Sequence, residues 1–360
     1  MKKMSKTRLI VSLAVVLAVY VLAYVAEQCA GSSSMLVTVL KKGAVYALIA
    51  VSMNLLNGFT GLFSLGQAGF MLIGAYTYAV FTIPQSKHAA LYQYFDGGII
   101  NFELPLPVAL ILAGVVAALL AALIGLPVLR LKSDYLAIAT LGFAEIIRAI
   151  IQWDALGPVT NGSNLLKTYP TFNSTKILGS TVLFPFIVSG ICIAIILLLI
   201  NSTYGRAFKA IRDDEIAAEA MGINLFHHKQ MAFVISCFFA GIGGALLAMF
   251  QGTVQANAFK SSMTYDIMLM VVIGGMGSVS GSVIASFLYI AASEWWLRFL
   301  DNEAYIGDFQ VPLLSSGFRM VVFSAMIMIV VLFFRRGIMG DRELWELGSR
   351  RKKSMEVTKQ

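Results

Sequence analysis

Residues 182–200 read VLFPFIVSGICIAIILLLI, a run of 19 residues that contains no charged side chain. A helix needs about 20 mostly apolar residues to cross the hydrocarbon core of a bilayer. The run from Val182 to Ile200 therefore has the length and the composition of a transmembrane helix. It indicates a membrane protein, and the rest of the chain decides how many times the bilayer is crossed.

The composition of the whole chain supports this interpretation. Of its 360 residues, 58% are apolar and 13% are charged, against roughly 45–50% and about 25% in an ordinary soluble domain. The mean hydropathy is +0.81, and a soluble core of this size would need far more polar surface to cover it. We therefore predict a polytopic membrane protein of the all-α class, folded as a transmembrane helical bundle.

The same length criterion gives ten candidate spans along the chain. They lie near residues 8–26, 35–57, 61–83, 104–129, 134–153, 182–200, 230–250, 265–279, 281–299 and 313–334. The first follows a basic N-terminal segment, but its apolar run from Leu9 to Val25 is longer than the ~7–15 residues of a signal sequence. We interpret it as a membrane anchor. The eighth and ninth are short, and a glycine- and serine-rich break at 277–281 separates them.

Lysine and arginine predict the orientation, because they concentrate in cytoplasmic loops. With the N-terminus inside, 18 of the 27 fall on the cytoplasmic side, in 2–8, 130–132, 206–229 and 335–359. The outer loops then hold only Lys87, Lys167, Lys176 and Lys260. Both termini are predicted to be cytoplasmic, which requires an even number of spans. The pair Lys41-Lys42 does not fit this pattern, since it lies near the outer end of the second span.

The predicted organisation is a membrane domain over 1–335, with a cytoplasmic loop at 201–229, followed by a basic cytoplasmic tail at 336–360. The net charge of +8 could suggest nucleic acid, but the basic residues flank apolar runs, as in proteins that face anionic lipid. The three cysteines lack the spacing of a disulfide framework, and no histidine lies at metal-ligand spacing from a cysteine. We therefore expect membrane lipid as a partner, and no nucleic acid, metal or directly bound cofactor.

Two glycine-interrupted segments at membrane depth, 58–74 and 273–284, lie in opposite halves of the chain. Polar and irregular backbone there has to face protein or a water-filled path, and a pair of interrupted segments is typical of the central site of a transporter. Close helix packing is the alternative for the glycines. The predicted path residues are Ser64, Gly66, Gln67, Gly69, Thr140, Gly274, Gly275, Gly277 and Ser278.

The cytoplasmic loop contains a predicted helix from Gly205 to Met221, with Gly222 as its terminator. One interpretation is a solvated connector with charge pairs such as Arg212 and Glu215. The other is a docking helix, because the small residues Ala217, Ala218 and Gly222 would let a partner protein approach closely.

The loop sequence RDDEIAAEAMGI, at 212–223, resembles the coupling loop of ABC importer permeases of the branched-chain amino acid family, LivM type. The segments GLFSLGQAGF at 61–70, SDYLAIATL at 133–141 and GPVTNG at 157–162 are similar to further signatures of this family. The resemblance runs in the same order from about residue 40 to residue 335. The general importer consensus has an acidic residue where this chain has Ile216, and Glu215 precedes it.

The resemblance implies an ATP-driven importer in a bacterial inner membrane. Its partners would be two ATP-binding cassette subunits, a second permease subunit and an extracytoplasmic substrate-binding protein. The residues implied in ATPase coupling are Arg212, Glu215, Ala217, Ala218 and Gly222. Leu, Ile and Val are the substrates of most family members, while related permeases are similar for urea, short amides and other amino acids.

The residues also bear on two other classes of function, an ion-coupled secondary transporter and a membrane enzyme. The chain has no GxxxxGK[ST] phosphate loop, so it would depend on partner subunits for ATP hydrolysis. An ion-coupled secondary transporter needs an acidic relay at mid-membrane, and Glu145 is the only good candidate, although Arg148 at i,i+3 is expected to pair with it. Glu294 and Arg298 are expected to pair in the same way. A membrane enzyme would need convergent catalytic groups, and the sequence shows no such set, so we do not expect an enzyme.

Overall fold

The computed structural model describes residues 20–29, 31, 34–95, 98–100, 102–131 and 133–296, and isolated positions at 305–306, 309–310, 322, 324–325, 328, 337–340 and 343. The described residues form a helical membrane bundle, as predicted. Its helices are α1 (Met35–Asn54), α2 (Gln67–Thr82), α3 (Gln85–Leu91), α4 (Leu106–Val128), α5 (Ser133–Gln152), α6 (Gly157–Thr160), α7 (Leu183–Ile200), α8 (Thr203–Asp213), α9 (Glu215–Ala220), α10 (Leu225–Gln251), α11 (Ser261–Gly274) and α12 (Val279–Ala291).

Shorter elements join or extend these helices. Residues 20–29 are helical, π-helical turns follow α1 and α12 at Leu55–Phe59 and Ala292–Trp296, and 3-10 turns lie at Asp154–Leu156 and Ala256–Ala258. A small antiparallel hairpin pairs β1 (Tyr305–Ile306) with β2 (Phe309–Gln310).

Five described helical stretches are long and apolar enough to cross a membrane: Met35–Phe59, Leu106–Val128, Tyr135–Gln152, Leu183–Ile200 and Leu225–Gln251. The predicted third span begins late, because the chain is not helical over 60–66, so α2 has only 16 residues. The predicted break between the eighth and ninth spans is confirmed, since α11 ends at Gly274 and α12 begins at Val279. The span at 313–334, most of 8–26 and the tail at 336–360 lie largely outside the described residues.

The long helix α10 lies at the centre of the bundle and packs against both α2 and α4. Glycines set these crossings. A Cβ atom on Gly74 of α2 would lie 2.0 Å from the carbonyl oxygen of Gly241, and one on Gly244 would lie 2.0 Å from that of Met71. Gly241 in turn packs on the backbone of Ala113 in α4. Small residues at these positions let the backbones approach, which is how helices gain packing contacts inside a bilayer.

The loops and helix ends lie at two opposite ends of the bundle. At one end, called here the loop end, the loop 201–229 lies beside the π-helical turn Leu55–Phe59, and Arg130 stacks on the ring of Phe226. At the opposite end, Glu27 binds the start of α7, and Arg148 donates to Asn257. Helix α10 starts at the loop end and finishes at the opposite end.

Charged side chains within the spans are mostly paired. Arg148 binds Glu145, as predicted, and Ser261 also donates to Glu145. Glu294 pairs with Lys42, a partner that was not predicted, and the predicted partner, Arg298, lies outside the described residues. Helix α1 begins before the two lysines, at Met35, with the Ser34 hydroxyl accepting from the Val37 amide. Lys42 therefore joins α1 to the π-helical turn that follows α12.

Candidate functional site

The two glycine-interrupted segments meet, and Asn54 at the end of α1 joins them. Its side-chain amide donates to the Ser278 carbonyl at 2.9 Å and to the Ser282 hydroxyl at 2.8 Å. Its side-chain oxygen accepts from the Gly277 amide at 2.9 Å. Asn54 is completely buried. One side chain thus satisfies backbone groups that the helix break exposes, which would otherwise be costly at membrane depth.

The next turn of the chain packs equally closely against the second segment. Gly58 lies in the π-helical turn, and a Cβ atom there would lie 1.8 Å from the side-chain oxygen of Asn54 and 2.5 Å from the Gly277 nitrogen. Only glycine leaves room for this contact. The segments 58–74 and 273–284 thus come together by direct backbone packing.

The predicted path residues of the first segment are packed inside the chain in this conformation. Gln67 is 3% exposed and donates to the Ser52 hydroxyl at 2.8 Å. Ser64 is 4% exposed, and its backbone amide and carbonyl both bond to the side chain of Asn57. Their polar groups have partners within the protein, so these side chains do not face an open channel here.

Glycines 66 and 69 make a close crossing with α5. A Cβ atom on Gly66 would lie 2.9 Å from the Thr140 carbonyl oxygen, and one on Gly69 would lie 2.8 Å from the Ala144 Cα atom. The Thr140 hydroxyl accepts from the Leu65 amide at 3.0 Å. This crossing matches the packing alternative that the sequence left open for the glycines, and it places Thr140 at the same junction.

The second segment turns sharply between α11 and α12. Gly275 and Gly277 have φ values of +111° and +94°, a region that side chains with a Cβ atom rarely adopt. Gly274 packs against the backbone of Gly281, and the hydroxyl of Ser278 accepts from the Gly281 amide at 3.1 Å and caps α12. The four predicted path residues of this segment, Gly274, Gly275, Gly277 and Ser278, are all buried. Their geometry is that of a helix break stabilised by close packing and by the cap of Ser278.

A partner of this break comes from far along the chain and was not predicted. The amide of Ile338 donates to the Ile273 carbonyl at 2.7 Å. The carboxylate of Glu343 accepts from the amides of Val279 and Ser280 at 2.7 and 3.0 Å. A carboxylate at a helix N-terminus neutralises the unpaired amides of the first turn. Glu343 follows a basic segment, and nothing local in the sequence signals this role.

The loop 201–229 contains two helices where one was predicted. Asp214 interrupts them with extended backbone, and its carboxylate accepts from the amides of Ile216 and Ala217 at 2.9 and 3.0 Å. An N-cap aspartate favours a new helix start at this point, a signal that the sequence contained. Gly222 ends the second helix as predicted, with φ +83° and the amide of Ile223 bonded to the Ala218 carbonyl at 3.1 Å.

The exposed tip of the loop differs from the predicted docking patch. Ala218 is 4% exposed, so it packs within the chain, while Ala217 and Gly222 are exposed. The large apolar side chains at the tip are Ile216, 82% exposed, and Met221, 84% exposed. Exposed apolar residues on a short polar loop are typical of a protein contact. In the sequence, Ile216 differs from the importer consensus, which has an acidic residue at this position, but nothing there indicates that Ile216 is exposed.

The predicted ion pair between Arg212 and Glu215 is absent among the described contacts, because each has another partner. Glu215 binds Lys229 at 2.7 Å, and Arg212 binds Asp213 at 3.0 Å. Arg212 also donates to the carbonyl oxygen of Gly58 at 3.1 Å. The ammonium of Lys209 lies 5.4 Å from the ring centre of Phe59. The loop is therefore attached directly to the turn that packs on Gly277.

The described residues contain no group of three or more His, Cys, Asp or Glu side chains arranged to hold a metal ion. The site described above consists of backbone groups, side-chain amides, hydroxyls, the Arg212 guanidinium and the Glu343 carboxylate. It links a surface loop to two helix breaks inside the membrane bundle.

Comparison with known proteins shows which family the chain belongs to. The family model described as branched-chain amino acid transport system, permease component, matches residues 35–332. The chain belongs to this permease family. It is 33% identical over 277 residues to the high-affinity branched-chain amino acid transport system permease protein LivM of Escherichia coli (strain K12). That match covers 69% of this chain and 61% of the relative, so this chain spans about three fifths of its length.

More distant relatives of this permease cover more of both chains. The probable branched-chain amino acid transport permease protein LivM of Methanocaldococcus jannaschii is 23% identical over 331 residues, which are 83% of this chain and 92% of the relative. The LivH permease protein of Salmonella typhimurium is 24% identical over 314 residues, covering 84% and 93%. No solved structure matches the permease. A transport permease of this family is not an enzyme.

Proposed function

We propose that this permease is the membrane subunit of an ATP-driven importer of branched-chain amino acids in a bacterial cytoplasmic membrane. It would form the translocation path together with a second permease subunit, and two ATPase subunits would supply the energy. A substrate-binding protein would deliver the amino acid to the opposite end of the bundle. The observation that carries the proposal is the loop end, where an exposed apolar tip is attached through Arg212 to the turn at Gly58.

The loop 201–229 provides the docking element for an ATPase subunit. Ile216 and Met221 would insert into a groove of the partner, while Asp214 and Gly222 fix the short helix between them by its two caps. Apolar anchors surrounded by polar residues are the usual source of interface binding energy. Helix α9 has only six residues, so its caps, and not its length, hold it in shape.

Movement of the loop would reach the membrane site through contiguous contacts. Arg212 binds the carbonyl of Gly58, Gly58 packs against Asn54, and Asn54 bonds to Gly277. Packed contacts of this kind change between discrete arrangements instead of deforming gradually. ATP would drive the change by binding one arrangement of the complex more tightly than the other, since a ligand with equal affinity for both shifts nothing.

The predicted path at Ser64, Gln67 and Ser278 would then open only in the other arrangement. All three are buried here. We expect single cysteines at these positions to resist a water-soluble thiol reagent without ATP and to react during turnover with both partners present. Labelling at Glu145 in place of these three would move the path to α5.

Two alternatives follow from the sequence. Transport of urea, short amides or other amino acids would use the same bundle with a different partner protein. Ion-coupled transport would require Glu145 to exchange protons, but its carboxylate is bound by Arg148 and Ser261. This engagement favours a structural role for Glu145 and supports the importer.

The test of the proposal is uptake of radiolabelled L-leucine by proteoliposomes that contain this chain, the second permease and the ATPase subunits, with the binding protein outside. Uptake should require ATP inside and should fall at least about tenfold in Ile216→Glu, because a buried unpaired charge at an interface is costly. Glu219→Gln, an exposed neighbour in the same helix, is the matched control and should keep uptake. Uptake driven by an ion gradient without ATP would contradict the proposal.

The orientation has a separate test. Reporter fusions after Gln360 and within the outer loop 154–181 should give opposite results, because both termini are proposed to be cytoplasmic. A C-terminus accessible from outside would make the number of spans odd and would contradict this part of the proposal.

A further inference from the structure

A polar cavity of about 500 Å³ lies at the opposite end of the bundle, away from the loop 201–229. Its walls come from α1, from the outer loop before α7 and from the end of α10. Pockets for small molecules in proteins have volumes of about 300–1,000 Å³, so the cavity has room for an amino acid. None of the path residues predicted from the sequence lines it.

Lys41 is the unusual residue of this cavity. It is 7% exposed and belongs to α1, yet among the described residues no carboxylate lies within 4 Å of its ammonium group and no acceptor bonds to it. Among the described residues Glu27 is the acid whose charge acts on Lys41, but its oxygens accept from Ser180, Thr181 and Val182 and make no hydrogen bond to the lysine. A mostly buried ammonium group that no acceptor bonds is costly, and the cavity is where such an acceptor can bind.

The other charged residue that lines the cavity also favours the binding of an anion. Lys176 lines it together with Lys41, and its side chain comes from the exposed outer loop. With Glu27 as the only nearby acid named above, the surroundings hold one more positive charge than negative. Hydroxyl groups of Thr38 and Thr181 complete this side of the wall.

The other side of the cavity has the opposite polarity. Gln251 and Gly252 lie on its wall, and they are the end of α10, where Gly252 turns out of the helix with φ +70°. The carbonyl end of a helix carries a partial negative charge and attracts cations. The apolar part of the wall is formed by Phe172, Met249 and Phe250.

These observations match one class of ligand. We propose that the cavity binds a zwitterionic amino acid with an aliphatic side chain, with its carboxylate on Lys41 and its ammonium group at the carbonyl end of α10. The side chain lies against Phe172 and Met249. The inference rests on the proposed function and narrows its substrate, because urea and short amides carry no carboxylate to pair with Lys41. It assigns the cavity as the first site that the substrate meets after release at the outer end.

The test uses the full chain in lipid nanodiscs and measures binding of radiolabelled L-leucine. Lys41→Met keeps the length of the side chain and removes its charge, so leucine affinity should fall at least about tenfold, which corresponds to the loss of one charged contact. Lys41→Arg should retain binding. Lys87→Met is the matched control, since Lys87 is an exposed lysine of the same end outside the cavity, and its affinity should stay within about twofold of the unaltered chain.

Competition identifies the chemistry of the ligand. Leucinamide lacks the carboxylate and 4-methylpentanoate lacks the ammonium group, so both should compete much more weakly than leucine. Equal competition by leucinamide, or unchanged binding in Lys41→Met, would overturn the proposal. Inorganic phosphate that competes as well as leucine would also overturn it, and would assign the cavity to lipid phosphate.

The same variants separate this inference from the function on which it rests. If ATP-dependent uptake of leucine is intact in Lys41→Met proteoliposomes and the isolated chain binds no leucine, the importer stands and the cavity site is wrong. If the isolated chain binds leucine through Lys41 and no ATP-dependent uptake occurs, the cavity site stands and the importer is wrong. Loss of binding-protein association in Lys41→Met, with leucine binding unchanged, would make Lys41 a protein contact and overturn the cavity site.

Discussion

The guanidinium of Arg212 donates a hydrogen bond of 3.1 Å to the carbonyl oxygen of Gly58. The two residues are 154 positions apart, and the bond joins the surface loop to the turn at the end of α1. Gly61, with φ +75°, lets the backbone pass within contact distance of the Arg212 side chain. Arg212 therefore connects the loop 201–229 directly to the turn that packs on the two helix breaks.

Replacing Arg212 by Gln should uncouple the permease. Hydrogen bonds to charged groups contribute about 1.5–3 kcal/mol, and their loss would let the loop move without the turn at Gly58. We expect ATP hydrolysis by the assembled complex to continue while leucine uptake falls by about tenfold or more. Arg206→Gln is the control, because Arg206 is exposed in the same loop. Equal uptake by the two variants would contradict the role of Arg212.

Replacing Gly58 by Ala should destabilise the fold around the helix break. The added methyl group would lie 1.8 Å from the Asn54 side-chain oxygen, and overpacking of this kind costs about 1–3 kcal/mol. The thermal unfolding temperature of the purified permease should drop. Gly142→Ala is the control, since a Cβ atom at Gly142 in α5 meets nothing within 4 Å, and it should unfold at the same or a higher temperature.

Asn54→Leu should be among the most damaging substitutions of similar size. It removes the side-chain oxygen to which the Gly277 amide donates and one of the hydrogen bonds to the Ser278 carbonyl, and an unsatisfied buried group costs about 1–3 kcal/mol. We expect low yield of folded protein in fluorescence-detected size-exclusion chromatography. The exposed Asn164→Leu should behave like the unaltered chain, and normal folding of Asn54→Leu would show that the break does not depend on this side chain.

The permease should tolerate the substitution Gly222→Asn but not Gly222→Val. Its φ of +83° lies in the left-handed region, which asparagine adopts far more readily than β-branched residues. A Cβ atom at Gly222 meets nothing within 4 Å in this chain, so the difference between the two variants arises from the backbone. Leucine uptake should remain near normal in Gly222→Asn and fall in Gly222→Val. Equal loss in both would instead indicate a partner surface that accepts no side chain.

Glu343→Gln should loosen the C-terminal segment from the helix break. The carboxylate caps the amides of Val279 and Ser280, and removal of a helix cap costs about 0.5–2 kcal/mol. Hydrogen exchange of the amides at 279–280 should become faster. The matched control is Glu219→Gln, an exposed acid far from this contact. Unchanged exchange at 279–280 would contradict the cap.

Local patterns in the sequence correctly predicted several elements. The run at 182–200 became α7, and the apolar run at 104–129 became α4. Gly222 ended the loop helix, and the glycines at 274–277 ended α11. These features depend on a few consecutive residues: the transfer of an apolar run into lipid and the backbone freedom of glycine are both local properties.

The tertiary structure alone decided which of these elements touch. Asn54 and Gly277 are separated by 223 positions, and Lys42 and Glu294 by 252, so no local pattern pairs them. The burial of Ala218, the exposed tip at Ile216 and Met221, and the burial of Lys41 beside the cavity likewise arise from how helices pack. The sequence by itself determined a membrane permease, because membrane insertion is decided span by span. The linked breaks and the cavity depend on packing free energy summed over distant segments, which only the folded bundle brings together.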